Sequence, residues 1–513
     1  MALVLWRRKR ALRVGACSIL RFYMKKIVYL PLDERPCNFS YTSAVSEGNG
    51  YFSLVAPELS EMGVKKTPAD HGVIRSFLVR ECADADQLVI ALDALLYGGI
   101  IPSRLHYIAR DELCERLSVL KELKAANPSL HVSAFSLVMR CPCYTDSSEE
   151  PDYYAICGRE IFLWGQNEHK HRLGEITDAE YEAERARLAI CEPYIPDYEA
   201  RRAANIDSLV DALEMVGEYI DEFTILQDDS NARGYTAMDR ERVLEVVKRR
   251  GIDLDTYPGA DEGGLTLLGR AATEIEKQSP KIYVAYPREG AESVTPIYED
   301  RAIKHTLSAQ IRSAGATECF SENEADIVLF VNLNDERTYD VFLSPEGQSD
   351  ESYIPAFVSR IRDTLASGKG AAVADVAYCN SGDLTFALEL ERQIGFDRLW
   401  GYAGWNTASN TIGTVMCQTV LRYLYGDTPT HRRFTAYRFM DDVVYSADVR
   451  MRLQREGYGQ DLGTRGKVSE LIERLINERT RELFPRIAER YEATECYLPW
   501  QRLFEIGIKI KER

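Results

Sequence analysis

Short runs of apolar and β-branched residues recur along the chain, and a polar or turn residue closes each run before a segment of helical periodicity begins. The runs are continuous rather than alternating, which is typical of strands in parallel sheets that helices cover on both faces. We therefore predict an α/β fold of parallel sheets, with a (β/α)-barrel-like or doubly wound N-terminal lobe. The predicted strands are 27–32, 52–56, 88–92, 132–139, 223–226, 282–285, 327–333, 371–376 and 399–403, with a weaker one at 252–257.

The length of the chain predicts more than one domain, because 513 residues exceed the size at which single cores usually stop growing. A polar tract containing Pro280 offers a boundary near residue 276. We expect an α/β lobe at 24–275, with a strand-free insertion at about 140–200, then a second α/β lobe at 276–440 and a helical tail at 441–513.

The first 23 residues differ from the rest of the chain. An apolar stretch precedes the basic run Arg7-Arg8-Lys9-Arg10, which reverses the order found in a secretory signal. We interpret residues 1–23 as a basic extension that looks non-native, and leave open whether translation starts at Met1 or Met24. No run of about 20 apolar residues follows, so we predict no contact with a membrane.

The formal net charge of −17 limits the kinds of partner that suit this chain. It argues against nucleic acid, which binds basic surfaces, and favours a neutral or cationic small molecule. The twelve cysteines are scattered rather than arranged as in a small secreted module, which predicts free thiols and a cytoplasmic location. The oligomeric state is left open.

Polar residues follow almost every predicted strand. Carboxyl ends of parallel strands share one edge of a sheet, where loops and helix N-termini converge on ligands. A single carboxylate there is often only a helix cap, whereas the recurrence favours a polar pocket. The residues expected to bind substrate are Asp33, Arg35, Asn38, Asp93, Tyr97, Arg104, Arg140, Gln227, Asn332, Asn334, Asp375, Trp405, Asn406 and Asn410.

Two carboxylate pairs, Asp228-Asp229 and Asp261-Glu262, are the candidate catalytic groups. Two carboxyls near one bond can divide the roles of acid and base, since burial and repulsion separate their pKa values. Glycosidases use such a division. Within a strand only one member of each pair faces a given side, whereas a loop relaxes that alternation. The alternatives are a helix cap for the first pair and a surface turn for the second.

No cofactor is predicted, although a divalent metal remains an alternative. Oxygen ligands suited to Mg²⁺ or Mn²⁺ are present at Asp33, Asp93, Asp228 and Asp375. A zinc site would have to use Cys141, Cys143, Cys157, His169 and His171, which lack the paired spacing of structural zinc sites. The familiar phosphate-loop, esterase, zincin and dinucleotide motifs are missing.

The segments LPLDERPCN, ALDALLYGG, LQDDSNARG, YPGADEGG and YAGWNTASNTIG together resemble a bacterial family catalogued as domain of unknown function 4127. The resemblance covers residues 24 to about 445 and implies no catalytic residue. Gly259-Ala260-Asp261-Glu262 is also similar to the strand end of retaining β-hexosaminidases. That likeness implies that Asp261 orients an acetamido group and Glu262 is the general acid, although Ala260 departs from the pattern.

Our first hypothesis is a hydrolase that acts on a glycoside or sugar derivative through one of these pairs. The second is a non-catalytic, two-lobed protein that binds a sugar or metabolite. The third is a hydrolase or lyase that depends on a divalent metal. Turnover of chromogenic glycosides, ligand binding without product, and sensitivity to a chelator distinguish the three.

Overall fold

Two parallel sheets form the framework of the protein. The computed structural model describes residues 24–48, 50–342, 350–458 and 468–513, so the predicted extension at 1–23 lies outside the described residues. The first sheet has six strands in the order β2-β1-β3-β4-β5-β6, and the second has five in the order β13-β11-β9-β7-β8. Every pairing in both sheets is parallel. The predicted α/β fold is confirmed.

The strands agree with the predicted runs to within a few residues. Five strands of the described residues were not predicted, namely β8, β10, β12, β14 and β15. Of these, β10 pairs with β12 and β14 pairs with β15. The strands are β1 Lys25–Leu30, β2 Phe52–Val55, β3 Gln87–Ala91, β4 His131–Val138, β5 Glu222–Gln227, β6 Asp255–Pro258, β7 Lys281–Ala285, β8 Thr317–Glu318, β9 Ile327–Asn332, β10 Tyr339–Asp340, β11 Gly370–Asp375, β12 Tyr378–Cys379, β13 Gly401–Ala403, β14 Tyr491–Tyr497 and β15 Gly507–Glu512.

Helices connect the strands and cover the sheets. The described α-helices are Ser40–Ser46, His71–Cys82, Leu92–Tyr97, Ile100–Ser103, Arg110–Leu117, Val119–Ala126, Tyr154–Arg172, Asp178–Arg187, Ile195–Leu213, Tyr235–Arg250, Gly263–Glu276, Ile303–Ser313, Ile354–Ala366, Leu384–Gln393, Ala408–Tyr425, Pro429–Arg438, Arg450–Arg455, Val468–Leu483 and Pro485–Ala488.

Both sheets are wound in the same order. In each, the first strand lies between the second and the third, and later strands add outward on one side. The first sheet is open, with β2 and β6 at its edges, so it takes the doubly wound form rather than the barrel. In such sheets the connections diverge beside the first strand, and this divergence leaves a crevice at the carboxyl ends.

The two sheets share one continuous apolar core. Val28 and Ile90 of the first sheet belong to the same buried cluster as Phe330 and Val373 of the second. The predicted boundary near residue 276 falls at the end of helix Gly263–Glu276, between the two sheets. The division into separate lobes stays a prediction.

The chain beyond the second sheet is helical, as predicted, up to the unpredicted β14–β15 hairpin. It also contains a π-helix at Phe439–Val449, a rare form of backbone that occurs often at functional sites.

Helices Gly263–Glu276 and Ala408–Tyr425 pack closely because Gly413 has no side chain. A Cβ atom at Gly413 would overlap the Glu262 side chain and lie 2.6 Å from Thr266 Oγ1. The nearest atoms to a Cβ at Gly269, on the partner helix, are 3.6 Å away. Gly413 therefore lies at a contact that has no room for a side chain, whereas Gly269 has room for one.

We expect Gly413→Ala to lower the free energy of unfolding by about 1–3 kcal/mol, since overpacking forces the helices apart. Gly269→Ala is the control, and should be neutral or slightly stabilising because the space exists and alanine favours helix. Urea denaturation measures both. Equal stability of the two variants would contradict the close packing at Gly413.

Candidate functional site

A buried arginine organises the loop that follows β1. Arg35 Nε donates to Asp33 Oδ2 at 2.8 Å, and Arg35 Nη2 donates to Asp261 Oδ1 at 2.5 Å. All three side chains are buried. Charges removed from water need compensation of this kind, so the guanidinium allows both carboxylates to remain inside the protein.

Asp261 joins the first sheet to the loop after β13. Its carboxylate also accepts hydrogen bonds from Asn38 Nδ2 at 3.0 Å and from Asn406 Nδ2 at 3.2 Å. Its backbone N–H donates to Asn410 Oδ1 at 3.1 Å. The carboxyl-end loops of the two sheets therefore meet at one buried carboxylate.

A second group of ion pairs lies at the ends of β4 and β5. Arg104 Nη2 contacts Asp228 Oδ2 at 2.7 Å, and Arg140 Nη1 contacts Asp229 Oδ2 at 3.1 Å. The segment after β4 contributes Glu150, whose Oε1 lies 3.1 Å from Arg104 Nη1 and 2.8 Å from Arg140. Each carboxylate after β5 thus has its own guanidinium, and Glu150 links the two.

The segment between β14 and β15 connects these two groups. Arg502 pairs with Glu149, and its Nη2 donates to Glu505 Oε1 at 2.9 Å. Glu505 Oε2 lies 3.9 Å from Arg35 Nη1. Burial raises the pKa of Glu505 to about 7, although Arg35 and Arg502 oppose the shift. We call the resulting set the charge network: Asp33, Arg35, Arg104, Arg140, Glu149, Glu150, Asp228, Asp229, Asp261, Arg502 and Glu505.

Asp229 differs from its neighbour Asp228 in the exposure of its side chain and in its backbone conformation. Its side chain is 24% exposed, twice the 12% of Asp228. Its backbone φ is 37°, in the left-handed region that disfavours most residues with a side chain. Burial raises the pKa of Asp229 to about 6, with Arg140 opposing the shift and Asp228 adding to it. Strained backbone is often found at functional sites.

Other left-handed residues lie on the second-sheet side. Tyr298, Asn380 and Asn406 have φ values of 65°, 66° and 65°. Asp340 Oδ2 accepts from Tyr298 Oη at 2.9 Å and from Asn380 Nδ2 at 3.2 Å. Burial and Asp340 raise the pKa of Tyr298, with a smaller contribution from Asp229. Asp229 is therefore within electrostatic reach of this group.

The π-helix positions the loop that carries Asn406. Asp442 Oδ2 accepts from the backbone N–H of Gly404 at 2.8 Å, and Arg438 pairs with the same carboxylate. Arg438 also contacts Asp441, whose Oδ2 accepts from Tyr41 Oη at 2.6 Å. These buried contacts fix the backbone two residues before Asn406.

The structure brings many of the expected residues together. Neither carboxylate pair serves as a side-chain helix cap, because the helix after β5 has Gly234 at its cap and Glu262 forms no side-chain cap bond. Trp405 contacts Phe504, with ring centroids 5.8 Å apart. The expected residues that lie in or directly beside the charge network are Asp33, Arg35, Asn38, Arg104, Arg140, Asp228, Asp229, Asp261, Trp405, Asn406 and Asn410.

The other expected residues make contacts of their own. Asp93 accepts from Ser136 Oγ and the backbone of β4, and burial raises its pKa to about 6. Glu262 turns back to accept from Ala260 N at 2.9 Å, so it does not share a side with Asp261. Tyr97 stacks on His106, Gln227 contacts Thr256, Asn332 contacts Asp375, and Asn334 accepts from Arg288 through its backbone.

Asp375 illustrates a buried carboxyl whose hydrogen bonds serve the fold. It accepts from Asn332 Nδ2 at 2.7 Å, from Tyr402 Oη at 2.8 Å and from the backbone of Asp383 at 2.8 Å. Burial, followed by the charge of Asp383, raises its pKa to about 8. These contacts hold the end of β11 against neighbouring elements.

Sequence reasoning missed Glu149, Glu150, Tyr298, Asp340, Asn380, Arg502 and Glu505. Apart from Asn380, which comes shortly after the predicted strand 371–376, none of them closely follows a strand that a continuous apolar run could reveal. The adjacent acids Glu149-Glu150 were the other local signal, because paired carboxylates had marked the other candidate positions.

Among the described residues, one group has the spacing of a metal site, and it lies elsewhere. His131, Glu222 and Glu274 meet near the amino ends of β4 and β5, where Arg270 pairs with both glutamates. The four aspartates considered as Mg²⁺ ligands do not form such a group within that part of the chain. The cysteines and histidines considered for zinc do not form one either. No helix within the described ranges is long and apolar enough to cross a bilayer.

Removal of the central guanidinium tests the network. We expect Arg35→Met to lower the free energy of unfolding by about 3–5 kcal/mol near neutral pH, because Asp33 and Asp261 would stay buried without their cation. The loss should shrink as the pH falls, since burial raises the pKa of Asp33 and protonation then removes its charge. Chemical denaturation at several pH values measures the effect.

Arg75→Met provides the control for that experiment. Arg75 pairs with Glu122 at the surface, where an ion pair contributes under about 1 kcal/mol. A similarly small, pH-independent loss in Arg35→Met would contradict the role assigned to the buried guanidinium.

Comparison with known proteins identifies the family of the chain. No curated protein matches the chain. A family model described as "Protein of unknown function (DUF4127)" matches residues 27–509, which include the charge network and, apart from the first two residues of β1, both sheets. The chain therefore belongs to the DUF4127 family of proteins of unknown function.

Proposed function

We propose that the protein is a hydrolase that acts on a glycoside or sugar derivative, with Asp229 as its general acid. The observation that carries this proposal is the state of Asp229. It combines a partly exposed side chain, a strained backbone and a pKa raised by burial to about 6. A carboxyl with a pKa near the working pH is suited to proton transfer.

Asp228 is the natural partner of this acid. Its carboxylate pairs with Arg104 and follows directly after β5, beside Asp229. In the proposed reaction, protonated Asp229 gives its proton to the departing glycosidic oxygen as the bond from that oxygen to the anomeric carbon breaks. A water molecule then forms a bond to the anomeric carbon, and the proton that the water loses returns to Asp229. The negative charge of Asp228 stabilises the positive charge that develops on the sugar ring.

The second candidate pair is less suited to this role. Asp261 already accepts from Arg35, Asn38 and Asn406, which leaves its oxygens engaged in holding the two sheets together. Glu262 is 1% exposed and faces the helix that carries Gly413. Its pKa is raised by burial to about 8, which keeps it neutral inside the protein.

The surroundings favour a neutral or cationic substrate rather than an anion. Carboxyls outnumber guanidiniums in the charge network, and the whole chain carries a net charge of −17. The Trp405 indole N–H and Glu505 Oε2 are buried without hydrogen-bond partners within the described ranges. A polyol would supply both a donor and an acceptor for such groups. The free thiols of the described cysteines support the cytoplasmic location that we propose.

A binding protein without catalysis is the second candidate. The observation that favours it is the pair of sheets with the same winding order, whose carboxyl-end loops meet at Asp261. Such a protein would bind the same class of sugar and release it unchanged. Chromogenic N-acetylhexosaminides and other glycosides decide between the two candidates, because only an enzyme forms product.

We expect Asp229→Asn to reduce turnover roughly 100-fold or more, because the amide cannot donate the proton. The wild-type rate should fall as the pH rises through about 6, where Asp229 loses its proton, and the variant should lack that limb. Steady-state rates between pH 4 and pH 9 measure both effects on the glycoside that is hydrolysed fastest.

Asp363→Asn is the matched control, since Asp363 lies on the outer face of helix Ile354–Ala366 and its side chain is 67% exposed. Its turnover and pH profile should equal those of the wild type. Undiminished hydrolysis by Asp229→Asn would remove Asp229 from the mechanism. Absence of turnover with every glycoside, together with saturable binding, would favour the binding protein. Loss of activity on adding a chelator would instead indicate metal-dependent chemistry.

A further inference from the structure

A basic cavity lies at the amino ends of β11 and β13 in the second sheet, opposite the carboxyl ends that lead to the charge network. Its volume is about 590 Å³, within the range of cavities that hold small molecules. Its cationic lining residues are Lys369, Arg398, Arg422, Arg432 and Arg490, and its acidic ones are Asp397 and Asp427. A cavity rich in cations is unexpected on a chain with a net charge of −17.

The two carboxylates compensate only part of this positive charge, and Lys369 Nζ donates to three backbone carbonyls. Asp427 pairs with both Arg422 and Arg432, the latter at 2.8 Å. Asp397 pairs with Arg490 at 2.8 Å. Arg398 is exposed and has no ion-pair or side-chain hydrogen-bond partner among the described residues. The cavity therefore holds guanidinium donors in excess.

Two of these guanidiniums, those of Arg422 and Arg432, lie close to each other because both pair with Asp427. The Arg422 side chain is 11% exposed, so its charge is poorly screened by water. Burial lowers the pKa of Arg422, and the nearby Arg432 adds to that shift, while Asp427 opposes it. Arg422 and Arg432 still repel each other although both pair with Asp427. An anion placed between the two guanidiniums would relieve this repulsion.

An aromatic ring completes the lining. The Trp400 indole lies against the start of β11, where a Cβ atom on Gly370 would be 2.6 Å from the ring. The Arg422 guanidinium lies 5.9 Å from the ring centroid. The absence of a side chain at Gly370 leaves room for this ring, which lines the cavity.

We propose that this cavity binds a small molecule that carries a phosphate group. Guanidiniums bind phosphate oxygens in pairs through their planar fork of donors, and several of them suit a multiply charged anion. Trp400 would contact the uncharged part of the ligand. Because the cavity lies at the amino ends of β11 and β13, the site is separate from Asp228 and Asp229 and independent of the proposed hydrolase.

Titration calorimetry of the full chain with inorganic pyrophosphate at low ionic strength tests this site. We expect saturable binding that weakens as salt is added. Arg398→Gln should weaken binding roughly tenfold, since each charged hydrogen bond contributes on that scale. Arg398→Gln/Arg432→Gln should weaken it further. Arg398 is exposed and unpaired, so its replacement should leave the thermal unfolding temperature unchanged.

Arg75→Gln removes one surface positive charge far from the cavity and is the matched control. It should bind pyrophosphate as the wild type does, which separates local recognition from the effect of net charge. Absence of binding to the wild type would overturn the proposal. Equal affinities of Arg398→Gln and the wild type would also overturn it, because pyrophosphate would then bind elsewhere, for example at Arg104 and Arg140.

Discussion

The buried carboxylate of Asp261 is the contact on which the arrangement of the site depends. It receives Arg35 and Asn38 from the loop after β1, and Asn406 from the loop after β13. A carboxylate without these donors would be costly inside the protein, so the loops of both sheets are held to a common centre. Loops that follow strands far apart in sequence therefore meet at this one carboxylate.

The arginines of the charge network neutralise its carboxylates to different extents, and the carboxyls therefore differ in pKa. Three arginines surround Glu149, and they hold its pKa below the usual range against the effect of burial. Asp229 and Glu505 have weaker compensation, so burial raises their pKa values to about 6 and about 7. Permanently charged and readily protonated carboxyls thus lie in one connected set. Two carboxyls with different pKa values can divide the roles of acid and charge stabiliser in a reaction that moves a proton.

The sequence predicted local features well and spatial relations less well. Strands were found because a buried strand requires a continuous apolar run, as in β3 and β9. The shared winding order depends on which distant strands pair, which no local pattern records. Asp33 and Asp228 were found because they follow such runs directly. Arg502 and Glu149 come from segments without a preceding strand, and the turning of Glu262 away from Asp261 depends on a packed helix that only the folded chain provides.

The contacts of the segment between β14 and β15 have a consequence for the biosynthesis of the protein. Arg502 and Glu505 are translated after every strand of both sheets, yet they connect Glu149 to Arg35. While the chain is still on the ribosome, both sheets can form before these two groups arrive. Until then, Glu149 lacks its Arg502 partner and Arg35 lacks the carboxylate of Glu505. Assembly of the site is consequently a late event in biosynthesis, separated in time from formation of the fold.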